Sequence, residues 1–274
     1  MISGILATIT ASSELLITKL LLRSGKSKTE KYVLLHFIFA TLIMLPGAFF
    51  IFSIDKKIIT TYYISVFIIL LISAAIYNVF YFKSVRRIPI EHSQPIILTS
   101  WVFTILLSYF YASQNTYKVI LALIACFAVI IASFTKITTP SRKYEIILLI
   151  SAFFIGIYNL SSRILLDIMS PFTLYFLRTL LLLPFFIVIF KFKKEDITIS
   201  HMRIAIISFL SILAQVTTFW AYQSIGLVLT SLLMNLAPLI TLFGARVLLK
   251  ETVKPKYIIA TIIVVICISL SFFV

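Results

Sequence analysis

Apolar residues fill this chain in long runs, neither alternating nor confined to one helical stripe, and short polar breaks separate the runs. Ten runs are long enough to be membrane spans: 2–22, 33–53, 61–82, 93–113, 117–135, 145–166, 170–190, 202–222, 227–249 and 257–274. A hydrocarbon core of ~30 Å takes roughly 20 apolar residues per helix. Lipid offers nothing to bond an open backbone N–H or C=O, so each run is predicted as a helix. β-Barrel strands would be shorter, alternating and polar inside. Gly25, the Asp55-Lys56-Lys57 turn, Pro140 and the KFKKED run at 191–196 mark the clearest breaks. The expected fold is an all-α membrane protein with ten transmembrane helices and no loop long enough for a soluble domain. The first run lacks a basic leader and a small-residue cleavage site, and is expected as a retained helix.

The two halves, 1–138 and 139–274, can be laid over each other. Ile38 to Pro46, IFATLIMLP, is echoed by Phe176 to Pro184, FLRTLLLLP, where Arg178 replaces Ala40. Ser12–Leu22 falls over Gly156–Leu166, Ser84 over Ser224 and Tyr117 over Tyr257, in common order and at nearly constant offset. Five helices per half is an odd number, so a duplicated second half sits upside down relative to the first. Loop charges follow that inversion. The loop after the first span carries Arg23, Lys26, Lys28 and Lys31, and that after the third carries Lys83, Arg86 and Arg87. Their counterparts offer Asp167 with the helix-end Arg163, and no charge, respectively. Lys250, Lys254 and Lys256 show the reverse bias between the last two spans. All heavily basic loops thus fall on one face, which the positive-inside rule makes cytoplasmic, with both chain ends outside.

Composition agrees with the pattern. At 61% hydrophobic and 12% charged residues, the chain has far more apolar side chain than a soluble domain can hide. It is read as a multi-pass integral membrane protein, expected in the cell (inner) membrane. The formal charge of +15 sits in short loops, which excludes nucleic acid as a partner and makes anionic lipid headgroups the natural counter-charge. Cys126 and Cys267 lie inside apolar runs and read as small buried hydrophobes.

Polar residues inside the spans carry the candidate chemistry. Glu14 belongs to a stripe of Gly4, Ala7, Ala11, Glu14 and Thr18, whose 3-4-3-4 spacing places all five on one helix face. An ionisable group in hydrocarbon faces a cavity or a partner. Glu14 is therefore either a proton-coupling or cation-binding carboxylate, or a packed carboxylate held protonated or paired with a base. Arg178, about two turns into its helix, either clamps a carboxylate or phosphate, pairs with Glu14, or bonds carbonyls near a helix end. The eighth span carries Ser208, Ser211, Gln215, Thr218 and Tyr222 at the same spacing. The third offers Ser73, Tyr77, Tyr81 and Ser84 with Asn78 beside them, and the sixth Ser151, Tyr158 and Ser162 with Asn159 adjacent. The ninth offers Ser231, Asn235 and the kink-prone Pro238. Hydroxyls of this kind also bond their own helix backbone. Trp101, Trp220 and several tyrosines either wall a site or sit at the lipid interface. His36 and the Glu91-His92 pair read as boundary residues or proton relays.

Nothing in the sequence matches a catalytic set: there is no phosphate-cradling glycine loop, no HExxH, and no Ser-His-Asp arrangement, and the three histidines are too dispersed for a metal site. The expectation is a non-enzyme without cofactor or metal. Its expected partners are a small-molecule substrate, membrane lipids and, as candidate coupling ion, protons. The candidate substrate-binding residues are Glu14, Tyr77, Tyr81, Trp101, Tyr158, Asn159, Arg178, Gln215, Tyr222 and Asn235. The competing reading is a flippase for lipid-linked intermediates or a non-transporting scaffold.

Residues 220–251, WAYQSIGLVLTSLLMNLAPLITLFGARVLLKE, resemble the signature of the EamA-like transporters in the drug/metabolite transporter superfamily, through Ala221, Ser224, Pro238, Gly244 and Glu251. FLRTLLLLP is similar to the family's arginine-bearing second helix of a repeat, whereas the first half reads YASQN at 111–115 where the second ends in LLKE. The resemblance implies two inverted five-helix repeats and a central cavity lined by spans 1, 3, 4, 6, 8 and 9. It also implies export or exchange of small metabolites such as amino acids, nucleotide-linked sugars or purines. Small multidrug resistance relatives carry a carboxylate on their first helix, in a place similar to that of Glu14. The family usually holds both termini in the cytoplasm, opposite to the sidedness the loop charges give.

Overall fold

The computed structural model describes residues 1–22, 29–85, 90–111, 115–133, 142–190, 201–249, 255–271 and 273. Eleven α-helices occur among them. These are α1 (Ile2–Leu22), α2 (Thr29–Ile51), α3 (Thr61–Val85), α4 (Ile90–Tyr111), α5 (Thr116–Ser133), α6 (Arg142–Leu165), α7 (Pro171–Phe190), α8 (His201–Ile225), α9 (Leu227–Met234), α10 (Leu236–Leu249) and α11 (Pro255–Leu270). A short 3-10 turn, Lys56–Ile59, leads into α3. Among the described residues, five helices are long and apolar enough to cross a membrane by length and composition, those containing Tyr32–Ile51, Thr61–Tyr81, Lys143–Leu165, Pro171–Phe190 and His201–Ile225. The all-α expectation holds.

The ninth run differs from expectation, because it forms two helices, α9 and α10, that part at Asn235. Pro238 has no N–H, so it cannot donate to the carbonyl four residues back, at Met234. The Asn235 amide meanwhile turns back to donate to Ser231 O at 3.0 Å. Between α8 and α9 stands a single residue, Gly226, at φ +82°, a conformation that side-chain-bearing residues rarely adopt.

Helix packing separates an inward from an outward face. Ile2, Ile5, Leu6 and Ile9 of α1, and Leu181, Phe185 and Val188 of α7, are exposed at helical spacing, as lipid-facing residues should be. Inside, α2, α3, α6, α7 and α8 share one apolar core and α4, α5, α9, α10 and α11 another. Ala7, Ala221 and Met234 join α1 to α8 and α9. The main pairings are α1 with α8, α3 with α6, α4 with α6, α2 with α7 and α5 with α11.

Close approach decides one of these pairings. A Cβ at Gly156 of α6 would stand 2.8 Å from Phe103 Cβ and 3.2 Å from both Phe103 C and Thr104 N of α4. Backbone cannot step aside as a side chain can. Gly156→Val is expected to cost about 1–3 kcal/mol of stability through overpacking, read as a lower Tm of the purified protein.

One end of the bundle is tied by main-chain bonds between the α2–α3 and α6–α7 linkers. Asp55 N donates to Ile168 O at 2.8 Å and Ser170 N to Ser53 O at 3.3 Å, so that Ile54 and Met169 form an isolated antiparallel bridge. Ser53 N also donates to Thr173 Oγ1 at 2.9 Å. Gln223 at the end of α8 caps the linker, its Nε2 donating to Leu166 O at 2.6 Å and Met169 O at 3.3 Å. Several residues singled out in the sequence lie outside the described ones: Arg23, Gly25, Lys26, Lys28, Arg86, Arg87, Pro140, the 191–196 run, Lys250, Glu251 and Lys254 are not described, nor are the side chains of Thr18, Lys31, Glu91 and His92.

Candidate functional site

Arg178 stands on α7, one turn after Tyr175, and is 4% exposed. Its guanidinium turns to α3 and α6: Nη2 donates to the Tyr77 hydroxyl at 2.8 Å and Nη1 to the Tyr158 hydroxyl at 3.2 Å. Four rings surround it, with centroids at 5.0 Å for Tyr158, 5.2 Å for Tyr175, 5.8 Å for Phe37 and 5.9 Å for Tyr77. Nε is buried without a partner. Neutral phenols and ring faces solvate the charge in part, each ring being worth about 0.5–2 kcal/mol, and among the described residues no contacting carboxylate neutralises it. Among the described residues the ion pair formed is Arg163 with Asp167, at 2.6 Å, near the end of α6. The alternative in which Arg178 pairs with Glu14 is not realised among the described residues: the guanidinium donates to two phenols, and Glu14 lies beside Ser211.

Glu14 reaches the same region from α1. It lies beside Ser211 of α8, and Tyr175 and Tyr81 are within electrostatic range. Tyr175 also neighbours Ser211, so side chains of α1, α7 and α8 converge on one region. Next to it, His36 of α2 meets Ser208 of α8, Nδ1 to Oγ at 3.1 Å. That histidine lies against the site and not at a boundary.

Burial along the inward faces is uneven. On α3 the inward face carries Val66, Leu70, Ser73 and Ala74, all buried, yet Tyr77 and Tyr81 on that face are only half-buried. On α8, Ser208, Ser211, Thr218 and Tyr222 are buried while Gln215, on the same stripe, is half-buried. Glu14 is half-buried on the inward stripe of α1. Towards the tied end Tyr222 is 1% exposed with an unpartnered hydroxyl. Its ring stands 6.1 Å from Phe219, which in turn meets Tyr158 and Tyr175.

Three other predicted residues go elsewhere. Asn159 is turned to α4, where Nδ2 donates to Thr104 Oγ1 at 3.0 Å. Trp101 packs against Ala7, Ala221 and Met234 and is not among the rings around Arg178. Asn235, at the helix break, points Nδ2 to Cys126 Sγ at 3.2 Å and leaves Oδ1 unpartnered. Trp220 is exposed among the lipid-facing residues.

The profile of the EamA-like transporter family matches residues 1–134 and again 142–273. The chain belongs to this family. No curated protein matches it in sequence. A solved crystal structure shares the fold of this chain, with a TM-score of 0.72 over 98% of this chain and 95% of the other, at 15% identity. Members of the EamA-like family are membrane transporters, which makes this a multi-pass integral membrane protein with a small-molecule substrate and a lipid environment.

Two residues of this EamA-like site escaped sequence reading. Tyr175 had a signal, since it stands three residues before Arg178 and so shares its helix face. Phe37 had none, because its approach to Arg178 is set by how α2 packs on α7.

Proposed function

We propose that this EamA-like protein is a secondary transporter, an exporter or exchanger, of a small polar metabolite bearing an anionic group, with amino acids as the leading class, working in the cell (inner) membrane. Transport proceeds by alternating access, the two inverted five-helix halves, 1–138 and 139–274, rocking about a site formed by Glu14, Tyr77, Tyr81, Tyr158, Arg178, Gln215 and Tyr222. Trp101, Asn159 and Asn235 support the helices around it.

The observation that carries this reading is Arg178. A buried cation with no contacting carboxylate is costly to maintain for packing alone, and a transported anion would offset that cost during each cycle. The helix pairings support the halves: α1 on α8 and α3 on α6 are the same pairing with the halves exchanged, while α2 on α7 and α5 on α11 are self-paired. A further parallel lies at the equivalent positions Ser12 and Gly156. Ser12 donates to Ala237 O of α10 at 3.2 Å, and Gly156 packs against Phe103 and Thr104 of α4.

Glu14, beside Ser211 and on the inward stripe of α1, is assigned as the proton-coupling carboxylate. The test is uptake by vesicles containing the purified protein, with pools of amino acids, nucleotides and sugars, with and without a pH gradient. Saturable uptake of an anionic or zwitterionic solute, driven by the gradient, is expected. Glu14→Gln should retain exchange but lose the response to the gradient. If no solute is taken up, the scaffold or flippase reading replaces this one.

A further inference from the structure

We propose that the group touching the substrate's anionic end is the Tyr77 hydroxyl, polarised by Arg178 behind it, and that Arg178 is a positioning residue. This rests on the transporter reading above and assigns the recognition chemistry within it.

The geometry of the guanidinium leads there. An arginine that clamps a carboxylate offers two parallel N–H groups from its outer edge. Here both terminal nitrogens already donate to phenols, at 2.8 Å and 3.2 Å, and aromatic rings cover the remainder. Each terminal nitrogen keeps a second N–H and Nε is unpartnered, but at 4% exposure the group has almost no surface from which to grip an anion directly.

A phenol oxygen carries one proton and can still accept. When Tyr77 accepts from Arg178 Nη2, its own proton remains to be donated, and the neighbouring charge makes it a stronger donor. Tyr77 is half-buried on the inward face of α3, one turn before Tyr81. Tyr158 is less suited, being 3% exposed. The Tyr77 ring also packs 5.3 Å from that of Tyr158, which fixes the direction of its hydroxyl.

Such a site presents a donor and positive potential but no carboxylate in contact with the arginine. It selects acceptor-only anions, carboxylate or phosphate, over the neutral amide of the same shape. Carboxylate and phosphate share this chemistry, and the ligand panel below separates them.

The test uses the full-length protein in detergent, with Tm followed against glycine, L-glutamate, lactate, citrate and inorganic phosphate, and lactamide as the neutral control. In the wild type at least one anion is expected to raise Tm while lactamide does not. Tyr77→Phe keeps the ring and loses the hydroxyl, and should raise the half-saturating concentration roughly 10- to 100-fold. Arg178→Lys keeps charge but not the fork, and should weaken binding comparably, whereas Tyr158→Phe should cost less. Should Tyr77→Phe not fold, Tyr77→His, which retains a ring N–H donor, is expected to bind selectively, and loss of binding by that variant overturns the assignment. Wild-type affinity in Tyr77→Phe beside lost affinity in Arg178→Lys overturns it too, because the arginine then contacts the anion itself. Equal response to lactate and lactamide has the same effect. A wild type that responds to no anion sinks the anionic-substrate reading along with this one.

Discussion

Replacing Arg178 by alanine is expected to abolish saturable transport of the anionic substrate while leaving a folded, inserted protein. Hydrogen bonds that involve a charged group contribute about 1.5–3 kcal/mol each, so losing the charge behind Tyr77 weakens anion binding by one to two orders of magnitude at least. Loss of positive potential in a low-dielectric site adds to this. Folding should survive for two reasons. Among the described residues no carboxylate is left unpaired in contact with the deleted charge, and the desolvation cost of the guanidinium disappears with it. Against that gain stand the hydrogen bonds to Tyr77 and Tyr158 and a cavity among the four rings. Arg178→Met, which fills more of the space, should therefore be the more stable of the two variants and equally inactive. Vesicle uptake and Tm, measured on both, check the prediction; normal uptake by either variant reduces Arg178 to a packing residue.

A disulfide across the tied end is expected to stop transport reversibly. Ile54 and Met169 face each other between the bonds from Asp55 N to Ile168 O and from Ser170 N to Ser53 O. That is the non-hydrogen-bonded position of an antiparallel bridge, where Cα atoms lie about 4.5 Å apart, inside the range a disulfide spans. The proposed rocking of the halves requires this end to open, since one linker belongs to each half. With Cys126 and Cys267 replaced, Ile54→Cys with Met169→Cys should cross-link on mild oxidation, lose uptake, and recover it on reduction. Undiminished uptake by the cross-linked protein would show that the two linkers move as one body, with opening elsewhere.

Much of the fold was legible from hydropathy because lipid enforces it: a backbone in hydrocarbon has to be helical, so unbroken apolar runs become helices. The stripe Ser208, Ser211, Thr218 and Tyr222 was legible in the same way, since 3-4-3-4 spacing on a rigid helix leaves little choice of face. The break at Asn235 was only half legible. Pro238 announced a weakened turn, but where the chain parted depended on the Asn235 amide reaching Ser231 and Cys126.

The site followed the same division. Polar residues in apolar runs identified Glu14, Tyr77, Tyr158 and Arg178 as unusual, because burying them without a reason is costly. Their partners were another matter. Opposite charges suggested Glu14 and Arg178 as a pair, yet the arginine bonds phenols of α3 and α6, and the glutamate lies beside Ser211. Asn159, next to Tyr158 in sequence, is rotated by one residue's turn and bonds Thr104 instead. Sequence by itself thus determined the membrane class, the helices and which residues face inward, since these follow from local periodicity and the solvent. Only the tertiary structure decided which inward residues meet, because helix pairing and crossing are set by side-chain packing between segments far apart in the chain. In this protein that packing turned a lone charge into an arginine held behind tyrosine hydroxyls.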